Sequence, residues 1–182
     1  MQPARFDAVV AELAPLTAAF KQRGRRLYIV GGTVRDLMLG RNVAALDFDF
    51  TTDARPNEVK SLLEGLVDAL WTQGERFGTI AAKRGARTLE ITTHRAEAYS
   101  PDSRKPEVKF SDSVETDLSR RDFTINAMAL ELTAASPQLV DPYGGLDDLM
   151  AKRLRTPLSP QESFNDDPLR ICLLYTSDAA DE

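Results

Sequence analysis

Apolar residues recur along this chain with two different periods, and the switching between them predicts an α/β fold. Phe6, Val9, Val10, Leu13, Leu16 and Phe20 recur at helical spacing, the stripe of an amphipathic helix packed on a core, with Pro15 expected to kink or split it. LYIV, from Leu27 to Val30, has the length and branching of a buried strand, and TVRDLML reads as the helix after it. In LDFDF the two classes alternate: Phe48 turns into a core while Asp47 and Asp49 project together on the opposite face. TTDARPNEVKSLLEGLVDAL follows, with Pro56 suited to a first helical turn and Val59, Leu62, Leu63, Leu66, Val67 and Leu70 on the inward side.

The second half is more broken. RFGTIAAKRGARTLEITTHR reads as two strands joined at KRGA, with Ile80 and Ala82 inward on one and Leu89, Ile91 and Thr93 on the other. From Ala96 to about Glu115, proline, serine and charge replace any apolar period, and a mobile loop is expected. TDLSRRDFTINAMALEL predicts a short polar helix ending near Arg120 and Arg121, then a strand from about Ile125 to Leu132. TAASPQ is a turn, QLVD a short strand, and DPYGG a sharp turn before the helical LDDLMAKR. A final helix is expected from near Pro168, capped by Asp166 or Asp167.

Composition narrows the class. At 182 residues the chain fits one domain, or one domain and the beginning of another. No stretch has the apolar length of a membrane span, and MQPARFDAVV lacks a signal-peptide pattern, so a cytoplasmic protein with no membrane partner is expected. Cys172 is the sole cysteine, which rules out an intramolecular disulfide and a cysteine zinc site. A net charge of −5 argues against a uniformly basic nucleic-acid surface, though not against a local basic groove. Oligomeric state is not legible in these patterns.

Candidate chemistry concentrates where glycines precede acids. Gly31 and Gly32 fall at a strand-to-helix turn, where backbone N–H groups approach phosphate oxygens closely. A lone Asp-x-Asp is usually solvated and a lone Gly-Gly is only a turn, but here they follow one another at short range. Two like charges among Leu46, Phe48 and Phe50 resist burial unless a cation neutralises them, which points to Mg²⁺. Glu90 has opposite parity to Leu89 and Ile91; beside LDFDF it either completes a carboxylate trio or is an exposed strand glutamate. The Arg120–Arg121 pair has the donor geometry to grip phosphate. His94, the only histidine, reads as packing or edge polarity rather than a base. No convincing nucleophile appears, and GGTVRD lacks the G-x-G-x-x-G of a dinucleotide-binding turn.

Taken in order, GGTVRD, LDFDFTTDARP, FGTI, EITTHRAEAY, RRDFTINAMA, DPYGG and ESFNDDPLR resemble the head and early neck of the class II tRNA nucleotidyltransferases (CCA-adding enzymes) and bacterial poly(A) polymerases. The resemblance covers roughly Leu27 to Arg170, and its wording is closer to the CCA-adding members. It implies a polymerase-beta-like head with a mixed sheet flanked by helices over 1–145, and the start of an all-helical neck over 146–171. It implies that Asp47 and Asp49 hold two catalytic Mg²⁺ ions, with Glu90 the third acid beside them. Gly31, Gly32 and Arg35, and Arg121, Asp122 and Asn126 in RRDFTINA, would bind the triphosphate and sugar. Asp141 and Gly144 mark the head–neck junction. Asp167 and Arg170 stand where the family pairs side chains with the base edge of CTP or ATP; for Asp167 an ordinary helix N-cap remains the alternative. The implied activity is metal-dependent addition of CMP and AMP to the 3′ end of tRNA. Poly(A) addition, or C-only or A-only addition, is the alternative within the enzyme class, and a non-catalytic nucleotide-binding module the alternative outside it. Two adjacent carboxylates speak against the latter.

After Ile171 the chain leaves the family pattern. CLLYTSDAADE, from Cys172 to Glu182, matches the in-frame translation of a transposon adapter used in shotgun libraries, so 172–182 are expected to be non-native. A head cut there would keep its metal and triphosphate site, lose half its base template, and expose apolar surface where a neck docks. An amplicon read through the native locus is expected to diverge from these codons after Ile171. The same codons at the locus would overturn the adapter reading.

Overall fold

The computed structural model describes residues 5–41, 47–96, 109–166, 170 and 173. Its centre is a seven-stranded mixed sheet: β1 (Leu27–Val30), β2 (Phe48–Thr52), β3 (Ala69–Trp71), β4 (Thr79–Arg84), β5 (Arg87–Thr93), β8 (Ala129–Glu131) and β9 (Gln138–Val140), in the order β3-β4-β5-β2-β1-β8-β9. β2 and β5 pair in parallel, and the other neighbours are antiparallel. Two short strands, β6 (Arg95–Ala96) and β7 (Lys109–Phe110), form a separate ribbon. The helices are α1 (Arg5–Gln22), α2 (Gly32–Met38), α3 (Pro56–Leu63), α4 (Val114–Ser119), α5 (Gly145–Met150) and α6 (Pro160–Asp166). The expected α/β architecture, a mixed sheet flanked by helices, is the one observed.

Strand parity divides the interior into two cores. Leu27, Ile29, Phe48, Phe50, Ile80, Ala82, Leu89, Ile91 and Leu130 face the apolar stripes of α1 and α3 and form the larger. Tyr28 and Val30 point the other way, onto Val114 and Leu118 of α4. β1 is therefore buried on both faces, as its unbroken apolar run requires. β2 is not: Phe48 and Phe50 are buried, whereas Asp49 between them is exposed. A one-residue slip of β2 would exchange these positions. It would cost roughly 3–6 kcal/mol of lost phenylalanine burial before any charge is buried.

Several boundaries differ from the sequence expectation. α1 runs through Pro15 without splitting, because Leu13 and Leu16 on either side are both held in the core while Pro15 faces solvent. α3 stops at Leu63: Gly65 adopts φ 73°, and the Asp68 N–H donates to Lys83 C=O, turning Leu70 onto edge strand β3 instead of a helix. The expected loop from Ala96 contributes Ala96, Lys109 and Phe110 to the ribbon and Val114 and Glu115 to α4; its residues 97–108 lie outside the described residues. The strand expected from Ile125 begins at Ala129. The reason is local: Thr124–Asn126 form a 3₁₀ turn, and the Thr124 N–H is spent on Arg155 C=O. α5 ends at Met150, short of Lys152, which takes φ 50°.

A helix is already under way at Pro160, ahead of the expected start near Pro168, and Asp166 lies within it rather than capping it. Ser159 and Glu162 explain the earlier start. The Ser159 N–H donates to Glu162 Oε2 at 3.2 Å, and the Glu162 N–H donates back to Ser159 Oγ at 3.3 Å, with Pro160 at the first helical position. Asp167 and all of 172–182 except Leu173 lie outside the described residues.

α5 is pressed against the 3₁₀ turn so closely that a Cβ on Gly145 would stand 2.2 Å from Thr124 O and 2.9 Å from Met128 Cγ. Backbone has to move to admit it. Gly145→Ala is expected to destabilise the chain by about 1–3 kcal/mol, read as a lower urea midpoint at unchanged slope. An unchanged midpoint would show that this contact is not tight.

Candidate active site

β1 ends in the turn that organises the site. Gly31 has φ 72° and ψ −144°, a conformation that side chains other than glycine rarely adopt, and α2 begins at Gly32. A Cβ on Gly31 would meet Arg121 Nη1 at 3.2 Å and lie 3.9 Å from Asp49 Oδ2. The turn thus brings bare backbone up to a guanidinium and a carboxylate together.

Beside it, the parallel register of β2 and β5 sets Asp49 opposite Glu90 on the open face of the sheet. Asp49, Glu90 and Arg121 line one pocket of about 280 Å³ with Val30, Thr92, Arg95, Asp117 and Arg120. Although the Asp49 side chain is open to solvent, it stands in the pocket wall, and partial desolvation there pushes its carboxyl up from its ordinary value; Arg121 pulls it down and the Asp47 charge pushes it up further. Asp47 precedes the first residue of β2, and its Oδ1 accepts the Thr88 N–H at 2.9 Å. Asp47 does not line the pocket, and a hard cation beside Asp49 would offset the charge of its carboxylate. A trio does not form: among the described residues no group of three or more His, Cys, Asp or Glu side chains is gathered tightly enough to hold a metal ion. Glu90 borders the pocket without joining a three-ligand cluster.

The cationic wall comes from the end of α4. Arg121 Nη2 is 3.5 Å from Asp117 Oδ2, Arg120 Nε is 3.7 Å from Asp117 Oδ1, and the Arg95 N–H donates to Asp117 Oδ1 at 3.1 Å. Arg35, Asp122 and Asn126 form a second cluster, linked to the first through the Gly31–Gly32 turn. Arg35 Nη1 donates to Asn126 Oδ1 at 2.8 Å, and Asn126 Nδ2 donates to both Asp122 oxygens, at 3.1 and 3.2 Å. Gly32 lies against the Arg35 guanidinium, 3.3 Å from Nη2 to an added Cβ.

Around the expected junction, the Asp141 carboxylate accepts the N–H groups of Gly145 and Leu146 at 2.7 and 2.9 Å, and Gly144 takes φ 72°. Asp148, fully buried, receives Thr124 Oγ1, Arg153 Nε and Arg155 Nε, each at 2.7 Å. Arg170 is buried too. Its Nη1 donates to Ser163 Oγ at 2.7 Å and its Nη2 to Arg120 C=O at 2.6 Å, so it reaches the backbone of the pocket wall.

His94 is buried and does not line the pocket. Its Nδ1 lies 2.7 Å from Thr51 Oγ1 and its ring 5.6 Å from that of Tyr28. Burial lowers it from 6.5 to about 4, outweighing the upward pull of Asp117, so the ring is neutral and packs. Sequence reasoning did not single out Asp117, Arg95 or Thr92 as pocket residues. For Asp117 a signal existed: it stands four positions before Arg121, the spacing of a helical ion pair.

Comparison with known proteins gives a consistent result. A family model described as the poly A polymerase head domain matches residues 27–155. The CCA-adding enzyme of Lactobacillus helveticus is 40% identical over 168 residues, covering 92% of this chain and 40% of that protein. That of Streptococcus suis is 41% identical over 161 residues, covering 88% of this chain and 38% of that protein. The chain spans about two fifths of the length of these relatives. An apo CCA-adding enzyme superposes with a TM-score of 0.77 at 31% identity, over 94% of this chain and 39% of that one. A tRNA nucleotidyltransferase complexed with a primer tRNA and an incoming ATP analogue superposes with a TM-score of 0.69 at 38% identity, over 86% of this chain and 42% of that one.

The state of His94 makes stability depend on pH. Folded His94 titrates at about 4 and unfolded histidine at 6.5, so between these values the unfolded chain binds more protons. Its contribution is complete above pH 6.5 and is lost as pH falls toward 4, a change on the order of 3 kcal/mol. His94→Asn is expected to flatten the urea midpoint against pH across that window. An equally steep profile in the variant would assign the loss to carboxylates.

Proposed function

Because the chain belongs to the family of the poly A polymerase head domain, we propose that its pocket binds a nucleoside triphosphate and transfers the nucleotide to an RNA 3′ end. The observation that carries this reading is the β2–β5 register, which puts Asp49 and Glu90 side by side, facing Arg121 across the glycine turn. The proposed activity is CCA addition: CMP and AMP from CTP and ATP onto the 3′ end of tRNA, in the cytoplasm. Residues 1–145 form the catalytic head and 146–171 the start of a helical neck.

Asp47 and Asp49 would hold two Mg²⁺ ions, which when bound lower the pKa of a coordinated hydroxyl and offset charge on the phosphates. The 3′-hydroxyl oxygen of the primer bonds to the α-phosphorus, its proton passes to solvent, and the bond to pyrophosphate breaks. Arg121 and Arg35 face the phosphates, where charge-assisted donors are strongest. Gly31 and Gly32 admit them by lacking side chains. Asp122 and Asn126, already joined by hydrogen bonds, present acceptor and donor groups to the sugar. Arg170, with Asp167, meets the base edge, anchored through Arg120 C=O. Glu90 adds negative charge near the ions as a neighbour. No covalent intermediate is involved.

The full-length protein carrying this chain is expected to add C, C and A in order to a tRNA lacking its 3′ terminus, given labelled CTP, ATP and Mg²⁺. Asp49→Ala is expected to cost more than the ~10–100-fold typical of groups that only support a metal ligand. Homopolymeric A addition would assign poly(A) synthesis, and C or A alone a partial transferase. Mg²⁺-dependent nucleotide binding without incorporation would replace the enzyme by a binding module.

A further inference from the structure

The pocket proposed to receive three phosphates contains a buried carboxylate that ought to repel them. Asp117 is 3% exposed and lines the pocket together with Asp49 and Glu90. Its oxygens are divided between three arginines: Oδ1 accepts the Arg95 N–H at 3.1 Å and lies 3.7 Å from Arg120 Nε, and Oδ2 lies 3.5 Å from Arg121 Nη2. A buried negative charge in an anion site is costly unless it serves its neighbours.

The neighbour in question is Arg121. Its Nη1 stands beside the Gly31 turn, close to the Asp49 carboxylate, and its charge already acts on Asp49. Among the described residues, however, the carboxylate it pairs with is Asp117. Arg121 Nε is buried and has no hydrogen-bond partner among the described residues. Among the described residues the guanidinium is thus held by Asp117 at Nη2 alone, and neither Nε nor Nη1 makes a hydrogen bond. Without Asp117, the carboxylate on which the Arg121 charge already acts, Asp49, is open to it as a partner. An Arg121–Asp49 pair would neutralise the carboxylate proposed to hold metal and withdraw the donor proposed to meet phosphate.

We infer that Asp117 is a positioning residue that holds Arg121 away from Asp49 and directs its free donors to the nucleotide phosphates. The inference rests on the nucleotide-transfer reading above and adds to it a residue that acts through Arg121. Backbone geometry supports the assignment. Asp117 and Arg121 are four residues apart across the C-terminal end of α4, and the Arg95 N–H fixes the carboxylate from the ribbon side.

The sign of the effect on affinity separates this role from simple repulsion. Asp117→Asn keeps an oxygen to accept the Arg95 N–H and removes the charge. If the carboxylate only opposes the phosphates, the variant binds nucleotide more tightly; if it positions Arg121, binding weakens. We expect equilibrium binding of Mg·CTP by this chain to weaken by about tenfold in Asp117→Asn, within the range of directly coupled pairs. Asp117→Glu, which restores the charge, should recover part of the loss. In an Arg121→Gln background Asp117→Asn should add little, while thermal unfolding midpoints confirm that each variant folds. Unchanged or tighter binding in Asp117→Asn, or full additivity with Arg121→Gln, would overturn the inference. Failure of the unsubstituted chain to bind Mg·CTP is a separate result: it removes the nucleotide reading, and this inference with it.

Discussion

The pairing of β2 with β5 is the constraint on which the rest of this molecule depends. Phe48 and Phe50 are buried opposite Leu89 and Ile91, and the same parallel register puts Asp49 beside Glu90 on the other face. The carboxylates need no separate device to reach the pocket. They are carried there by the burial of their neighbours, because successive strand residues point to opposite faces. Phe48 is secured further by the T-shaped contact with Phe50 at 6.1 Å and by the Arg87 guanidinium 4.4 Å above its ring. Stability and the proposed chemistry thus share one register, and anything that slips it loses both.

Around that register, charge is managed by carboxylates that hold arginines. Asp117 gathers donors at the pocket wall, and Asp148 gathers Arg153, Arg155 and Thr124 behind it. Burial raises the Asp148 carboxyl, but the hydrogen bonds from Thr124, Arg155 and Arg153 prevail and hold it below its ordinary value, so it stays ionised. The 3₁₀ turn at Thr124–Asn126 bonds to Asp148 through Thr124 and contributes Asn126 to the Arg35–Asp122 cluster. Arg170 reaches the same wall through Arg120 C=O. The described residues proposed to meet sugar, phosphate and base are thus held by hydrogen bonds and ion pairs to neighbours around the pocket.

Much of this was legible in the residues themselves. The alternation in LDFDF, the glycines after LYIV and the proline of ARPNEV each name a local conformation, and β1, β2, the Gly31 turn and the start of α3 follow them. The parity of Glu90 placed it on the open face. Failures came where local signals competed. Leu70 continues the helical period of α3, but Gly65 and pairing with β4 take it into a strand. The capping pair Ser159 and Glu162 was as explicit as any motif in the chain, yet Asp166 and Asp167 drew the helix start downstream.

By itself the sequence determined the faces: which residues go inward, which turn needs glycine, where acids and arginines fall along the chain. Those properties depend on bond geometry and on neighbours a few positions away. Tertiary structure alone decided who meets whom. That β5 lies parallel to β2 and that the end of α4 brings Arg121 to the Gly31 turn are outcomes of packing between segments dozens of residues apart. Both are selected by the summed burial of the whole sheet, and no local pattern encodes that sum.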